Sequence, residues 1–227
     1  MKHIHEFLVN NKIVNKIDQY AYHPQNNLEL AKIVEELLTQ GITDLNCIDT
    51  SKITNMSHTF YMIDDSTDID FDISDWDVSN VTNMESMFMY CSKFNCDLSN
   101  WNMSNVKNTN MMFSNCTNFN QDLSNWDVSN IKNSSMMFAN CDLFEGNGIE
   151  NWNVTNVVDA SGMFYNCTNF NKDLNNWDVH NMKNINNMFH GCEKFKGTNT
   201  NNWKFNHIKL VRMQNTFINC KNKPKWY

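Results

Sequence analysis

Eight cysteines, seven histidines and a dense run of aspartates are the residues of this chain that could do chemistry. Six of the cysteines (Cys91, Cys116, Cys141, Cys167, Cys192 and Cys220) recur at one regular spacing. Such a series could be a metal ladder, a set of disulfides or a column of small buried side chains. Zinc sites draw on closely paired Cys-x2-Cys ligands, and the sequence has none. If the repeats stack about 5 Å apart with side chains pointing the same way, small buried groups fit the position best. The six are therefore expected to be reduced, structural thiols. Cys47 and Cys96 fall outside the series, and Cys96, at a polar position, is expected to be exposed.

Asp64, Asp65, Asp68, Asp70, Asp72, Asp75 and Asp77 crowd into fourteen residues. Calcium takes roughly six to eight hard oxygens, so the composition suits it. The order lacks the Asp-x-Asp-x-Asp-Gly…Glu loop, and a solvated connecting loop is the preferred reading. His3, His5, His23, His58, His180, His190 and His207 share no repeat position and follow no ligand spacing. There is no glycine-rich phosphate loop and no Gly-x-Ser-x-Gly. No catalytic residue, metal or cofactor is assigned, and the chain is expected not to be an enzyme.

What positions these residues is a repeat. Trp falls at 76, 101, 126, 152, 177 and 203, and Phe at 60, 88, 113, 138, 164, 189 and 217, both in phase with the cysteines. The first half of each unit reads Leu-x-x-Trp-x-Val, as in Leu123, Trp126 and Val128, and its alternation predicts a short strand. The second half, Val81, Met84, Met87, Phe88 and Cys91, has helical spacing, with Ser79 as N-cap, and predicts about two turns of helix or 3₁₀. No unit can bury its apolar face alone, so the units must stack into an α/β solenoid with one parallel strand each. Rungs begin at Leu45, Ile73, Leu98, Leu123, Ile149, Leu174 and Thr200. Trp226 lies beyond the last. The Trp, Phe and Met columns read as core rather than as a sugar-stacking platform.

The unit Leu-x-x-Trp-x-Val-Ser-Asn-Val-x-Asn-x-x-x-Met-Phe-x-x-Cys-x-x-Phe resembles the repeats of BspA-like leucine-rich-repeat proteins, over about residues 20–227. The opening Ile48-Asp-Thr-Ser-Lys-Ile-Thr-Asn-Met-Ser is similar to that family's first repeat. The resemblance implies a right-handed leucine-rich-repeat solenoid used for interaction or adhesion. Residues 1–41 are read as an N-terminal segment and capping helix, and 42–227 as the solenoid. The helix is expected over Asn26–Gly41, with an Asn26/Glu29 capping box, Leu30, Ile33, Val34, Leu37 and Leu38 on one face, and Gly41 as its stop.

The outward residues of the Trp segment form two columns: Asp75, Asn100, Asn125, Asn151, Asn176 and Asn202, then Asp77, Asn102, Asp127, Asn153, Asp178 and Lys204. They are the expected binding face of a non-catalytic scaffold for an unidentified protein partner; the alternative is surface adhesion or glycan binding after non-classical export. The 18 Lys and Arg against 25 Asp and Glu, a net charge of −7, argue against nucleic acid. No stretch of apolar residues predicts membrane insertion, and no signal-peptide pattern is seen, so the expected location is intracellular, with secretion or the cell surface as the alternative. A count of 42 asparagines, with one arginine, Arg212, reads as coding bias and discounts individual asparagines. Charge is uneven: residues 29–85 hold thirteen acids and two lysines, while 193–227 hold one acid and eight bases. That polarity points to steering of a basic partner, or to weak head-to-tail self-association.

Overall fold

A computed structural model describes residues 20–63 and 71–227. The expected readings on 1–19 (His3 and His5 among them) and on Asp64, Asp65, Asp68 and Asp70 lie outside those residues. The described chain opens on one α-helix, α1 (Asn27–Thr39). Asn26 accepts the Glu29 backbone N–H through its side chain at 3.0 Å, and Glu29 takes the Gln25 N–H at 2.8 Å. At the other end the Gly41 N–H bonds Leu38 O and the Ile42 N–H bonds Leu37 O, a Schellman closure with Gly41 at φ 74°. Leu30, Val34, Leu37 and Leu38 are buried against the first repeat; Ile33 is only partly buried. Asn27 ties the helix down, donating to Ser57 O and accepting from the Thr59 hydroxyl.

After α1 the chain is a compact repetitive domain with an aromatic ladder at its centre. In five successive repeats two phenylalanines stack, with centroids 4.2 Å apart for Phe88/Phe94, Phe113/Phe119, Phe138/Phe144, Phe164/Phe170 and Phe189/Phe195. The first member of each pair lies 5.2–5.9 Å from its counterpart in the next repeat. Offset stacking of this kind adds roughly 0.5–1.5 kcal/mol per pair to the gain from burial. The expected inward columns are buried from Leu45 to Phe217, except that Phe205, Val211 and Met213 of the last repeat are only partly buried.

The backbone differs from expectation in both halves of the unit. Among the described residues there is no multi-residue strand; successive repeats touch through single parallel bridges, running Asn55, Asn83, Asn108, Asn133, Asp159, Asn184 and Arg212. These bridges lie after the Trp segment, not on it. In the Trp segment the N–H groups turn inward on the chain itself, Trp101 N–H to Leu98 O and Val106 N–H to Met103 O, which leaves few for a strand ladder. Side chains link the repeats there instead: every Trp Nε1–H donates to the Leu or Ile carbonyl of the preceding rung, as Trp126 does to Leu98 at 3.0 Å.

The second half is not helical. Ser86 and Tyr90 have φ 53° and 68°, and the same two positions are left-handed in every repeat. A helix cannot accommodate such residues. The segment is a run of β-turns (Met87 N–H to Met84 O, Cys91 N–H to Phe88 O) with the left-handed residue third, the type II arrangement. The N–H groups between them point to the next repeat: Met84 to Asn108 O, Ser86 to Asn110 O, Phe88 to Met112 O, Tyr90 to Ser114 O. Four such bonds recur at each of the six junctions. The apolar spacing marked the inward residues correctly, because burial follows side-chain polarity, but bonding between repeats displaced bonding within a helix.

Asn115, Asn140, Asn166, Asn187, Asn215 and Asn219 occupy left-handed positions, where asparagine is tolerated better than most residues. Asn80, Asn105, Asn130, Asn156 and Asn181 each donate to a Ser or Thr carbonyl of the preceding repeat, at 2.7–2.9 Å. The abundance of asparagine is therefore not idle bias: many of these residues make the turns and join the rungs.

Candidate functional site

The two predicted columns lie along one side of the buried Trp ladder, and all twelve residues are exposed. They are not equally free. Asp77, Asn102, Asp127, Asn153 and Asp178 each accept, at 2.9–3.2 Å, the backbone N–H two residues on, closing an Asx-turn. The Ser129 hydroxyl and backbone N–H hold the Asp127 carboxyl below its usual range, and the His180 ring does the same for Asp178. Lys204 interrupts the series. In the other column Asn125 reaches the Ser99 carbonyl only at 3.5 Å, while the exposed Asn100, Asn151 and Asn176 side chains make no hydrogen bond among the described residues. The sheet that was to carry these columns is absent among the described residues, so they stand on a turn-built surface.

Near the amino-terminal repeats this surface dips into an open groove of about 580 Å³ lined by Asp44, Asp72, Asp97, Cys96, Asn100 and Gln121, among others. Its carboxylates are engaged. Asp44, Asp72 and Asp97 close Asx-turns with Asn46, Ser74 and Ser99, and the Ser74 N–H pulls the Asp72 carboxyl below its usual range. Of the acidic run, Asp72, Asp75 and Asp77 are described, and two of them are turn acceptors. Among the described residues no three His, Cys, Asp or Glu side chains converge as metal ligands. Cys96 is half-buried rather than exposed, because its sulfur packs over Asp72 and the Asp97 carbonyl.

The cysteine column is buried from Cys91 to Cys192 and half-buried at Cys220. Each thiol donates to the phenylalanine carbonyl of the preceding repeat, Cys91 to Phe60, Cys141 to Phe113, Cys192 to Phe164, at 2.8–3.0 Å. Burial pushes Cys141, Cys167 and Cys192 far up and Cys220 up to about 12. A neutral thiol in this setting is a poor nucleophile. The histidines are scattered: His23 meets Asp49, His180 meets Asp178, and His190 stacks on Tyr165 at 5.0 Å.

Trp226 is not an outlier beyond the last rung. It stacks on Trp203 at 5.9 Å and its Nε1–H donates to Thr200 O at 2.6 Å, repeating the bond of every earlier Trp. Sequence spacing missed it because Trp226 falls 23 residues after Trp203, short of the regular period.

The chain matches the family described as "Mycoplasma protein of unknown function, DUF285" over residues 29–148 and again over 123–226. The two matches share 123–148, one repeat, as two matches to a periodic sequence can. No curated protein and no solved structure matches it.

Proposed function

This chain belongs to the DUF285 family, and we propose that it is a non-catalytic repeat scaffold that binds a protein partner through the two exposed columns beside its Trp ladder. The stacked units read as a right-handed solenoid akin to the BspA-like leucine-rich-repeat proteins. Unbroken parallel bridging from Asn55 to Arg212 supports that architecture.

The observation that carries the reading is the column Asp75, Asn100, Asn125, Asn151, Asn176 and Asn202: one exposed residue per repeat, each beside a buried Trp. Such a row is a pre-ordered array of donors and acceptors, and binding to it requires little ordering of the scaffold. The Asx-turn column fixes the backbone alongside. Buried, neutral thiols and committed carboxylates fit a scaffold better than a catalyst.

Affinity capture followed by mass spectrometry tests this. Asn100, Asn125 and Asn176 changed together to Arg are expected to cut recovery of the partner at least about tenfold, since unpaired charge at an interface centre costs several kcal/mol. A control changes Lys107, Lys132 and Lys183, exposed on the bridged side, to Glu and is expected to bind like the parent. Equal recovery by both variants, or loss only in the control, overturns this assignment of the face.

A further inference from the structure

The bonding between repeats has a direction, and it leaves the two ends of the ladder unlike. Along the turn segment of every junction four N–H groups of the earlier repeat donate to carbonyls of the later one, while the bridge just before it runs the other way, as Lys107 N–H does to Thr82 O. In the last repeat the equivalent N–H groups, on Met213, Asn215, Phe217 and Asn219, have no acceptor among the described residues. In the first repeat the equivalent carbonyls belong to Asn55, Ser57, Thr59 and Tyr61; α1 takes only that of Ser57, through Asn27, and the other three have no donor among the described residues. One end is a row of bare donors and the other a row of bare acceptors, in matching register.

Charge and apolar exposure divide the same way. Residues 29–63 and 71–85 carry nine acids and two lysines, whereas 193–227 carry one acid and eight bases. The two most exposed of the large apolar side chains sit at opposite ends, Leu28 at 81 % and Leu210 at 76 %. Met62 and Tyr61 accompany the first, Ile208 and Ile218 the second.

We propose that the C-terminal end of one copy docks on the N-terminal end of a second copy of this chain, extending the hydrogen-bond ladder across the junction. In that register the donors of Met213 and Asn219 would meet the acceptors of Asn55 and Tyr61 beside α1. The Lys-rich tail at Lys221, Lys223 and Lys225 would lie against Glu35 and Glu36. The contact is heterologous, so it does not close on itself and yields short linear oligomers. Unpaired edges are ordinary sites of such addition.

Light scattering on the full chain tests it, at low and at high salt. The expected result is a mass above the 26.7 kDa monomer at low salt that rises with concentration and falls on adding salt. Changing Lys221, Lys223 and Lys225 to Glu, or separately Glu35 and Glu36 to Lys, is expected to give monomers, and an equal mixture of the two variants to restore association. All these side chains are exposed, so neither change disturbs the core. A monomer at every salt concentration overturns the proposal, and so does association that both reversals leave untouched, or a mixture that stays monomeric.

Discussion

A thiol that must stay neutral inside the fold makes stability depend on pH in a defined direction. Burial raises the ladder thiols above their ordinary value near 9, Cys220 to about 12, with Cys141, Cys167 and Cys192 also pushed well up. The folded chain therefore holds these protons more tightly than the unfolded one. Their contribution is fully present below pH 9 and is lost progressively as the pH rises toward 12 and beyond. Urea midpoints at pH 7, 9 and 10.5 are expected to fall more steeply in the parent than in a variant with Cys141, Cys167 and Cys192 changed to Ser. Serine keeps a donor for the Phe113, Phe138 and Phe164 carbonyls but does not ionise. Parallel pH profiles in the two proteins would show that the column does not stay dry. The regular Cys spacing showed that these residues share one environment. Their carbonyl partners, one repeat back, were not legible in any local pattern.

At the scale of the element, the repeat is built on side-chain ladders with short turns between them. The Trp column contributes a hydrogen bond at every rung and ring stacking at Trp126/Trp152, Trp177/Trp203 and Trp203/Trp226, and its interior and last members differ in burial. Trp126 is enclosed on both sides, near Phe113 and stacked on Trp152. Its change to Ala is expected to cost about 3–5 kcal/mol. Trp226 is half-buried and has Trp203 on one side only. Its change to Ala is expected to cost about 2 kcal/mol, less than the interior residue but well above a surface substitution. Denaturant midpoints of the two variants check the ranking. A Trp226 variant as stable as the parent would remove it from the ladder, and one as damaged as the Trp126 variant would contradict the burial argument.

For the whole molecule, the ends decide whether the repeats remain a discrete body. The helix α1 covers the apolar end of the first repeat with its buried face of Leu30, Val34, Leu37 and Leu38. A chain lacking residues 1–41 is expected to expose Leu45, Ile48 and Phe60, which are at most 1 % accessible in the intact protein. Capless repeat arrays associate through such faces. Sedimentation is expected to show large aggregates that persist in high salt, unlike the salt-sensitive oligomers proposed for the intact chain. A well-folded monomer without the cap would mean that the first repeat closes itself.

The sequence alone determined which side chains face inward, how long the repeat is, where α1 starts and stops, and that the ends are oppositely charged. These follow from polarity, spacing and capping chemistry, which are local in the chain. The tertiary structure decided which half of each repeat bonds to its neighbour. Val81, Met84, Met87, Phe88 and Cys91 are buried at helical intervals, yet Ser86 and Tyr90 are left-handed and the N–H groups of Met84 and Phe88 reach carbonyls 24 residues away. A backbone donor bonds to whatever acceptor the stacked neighbour presents, and side-chain polarity carries no record of that choice. For the same reason the bare donors of the last repeat and the bare acceptors of the first are visible only once the rungs are stacked.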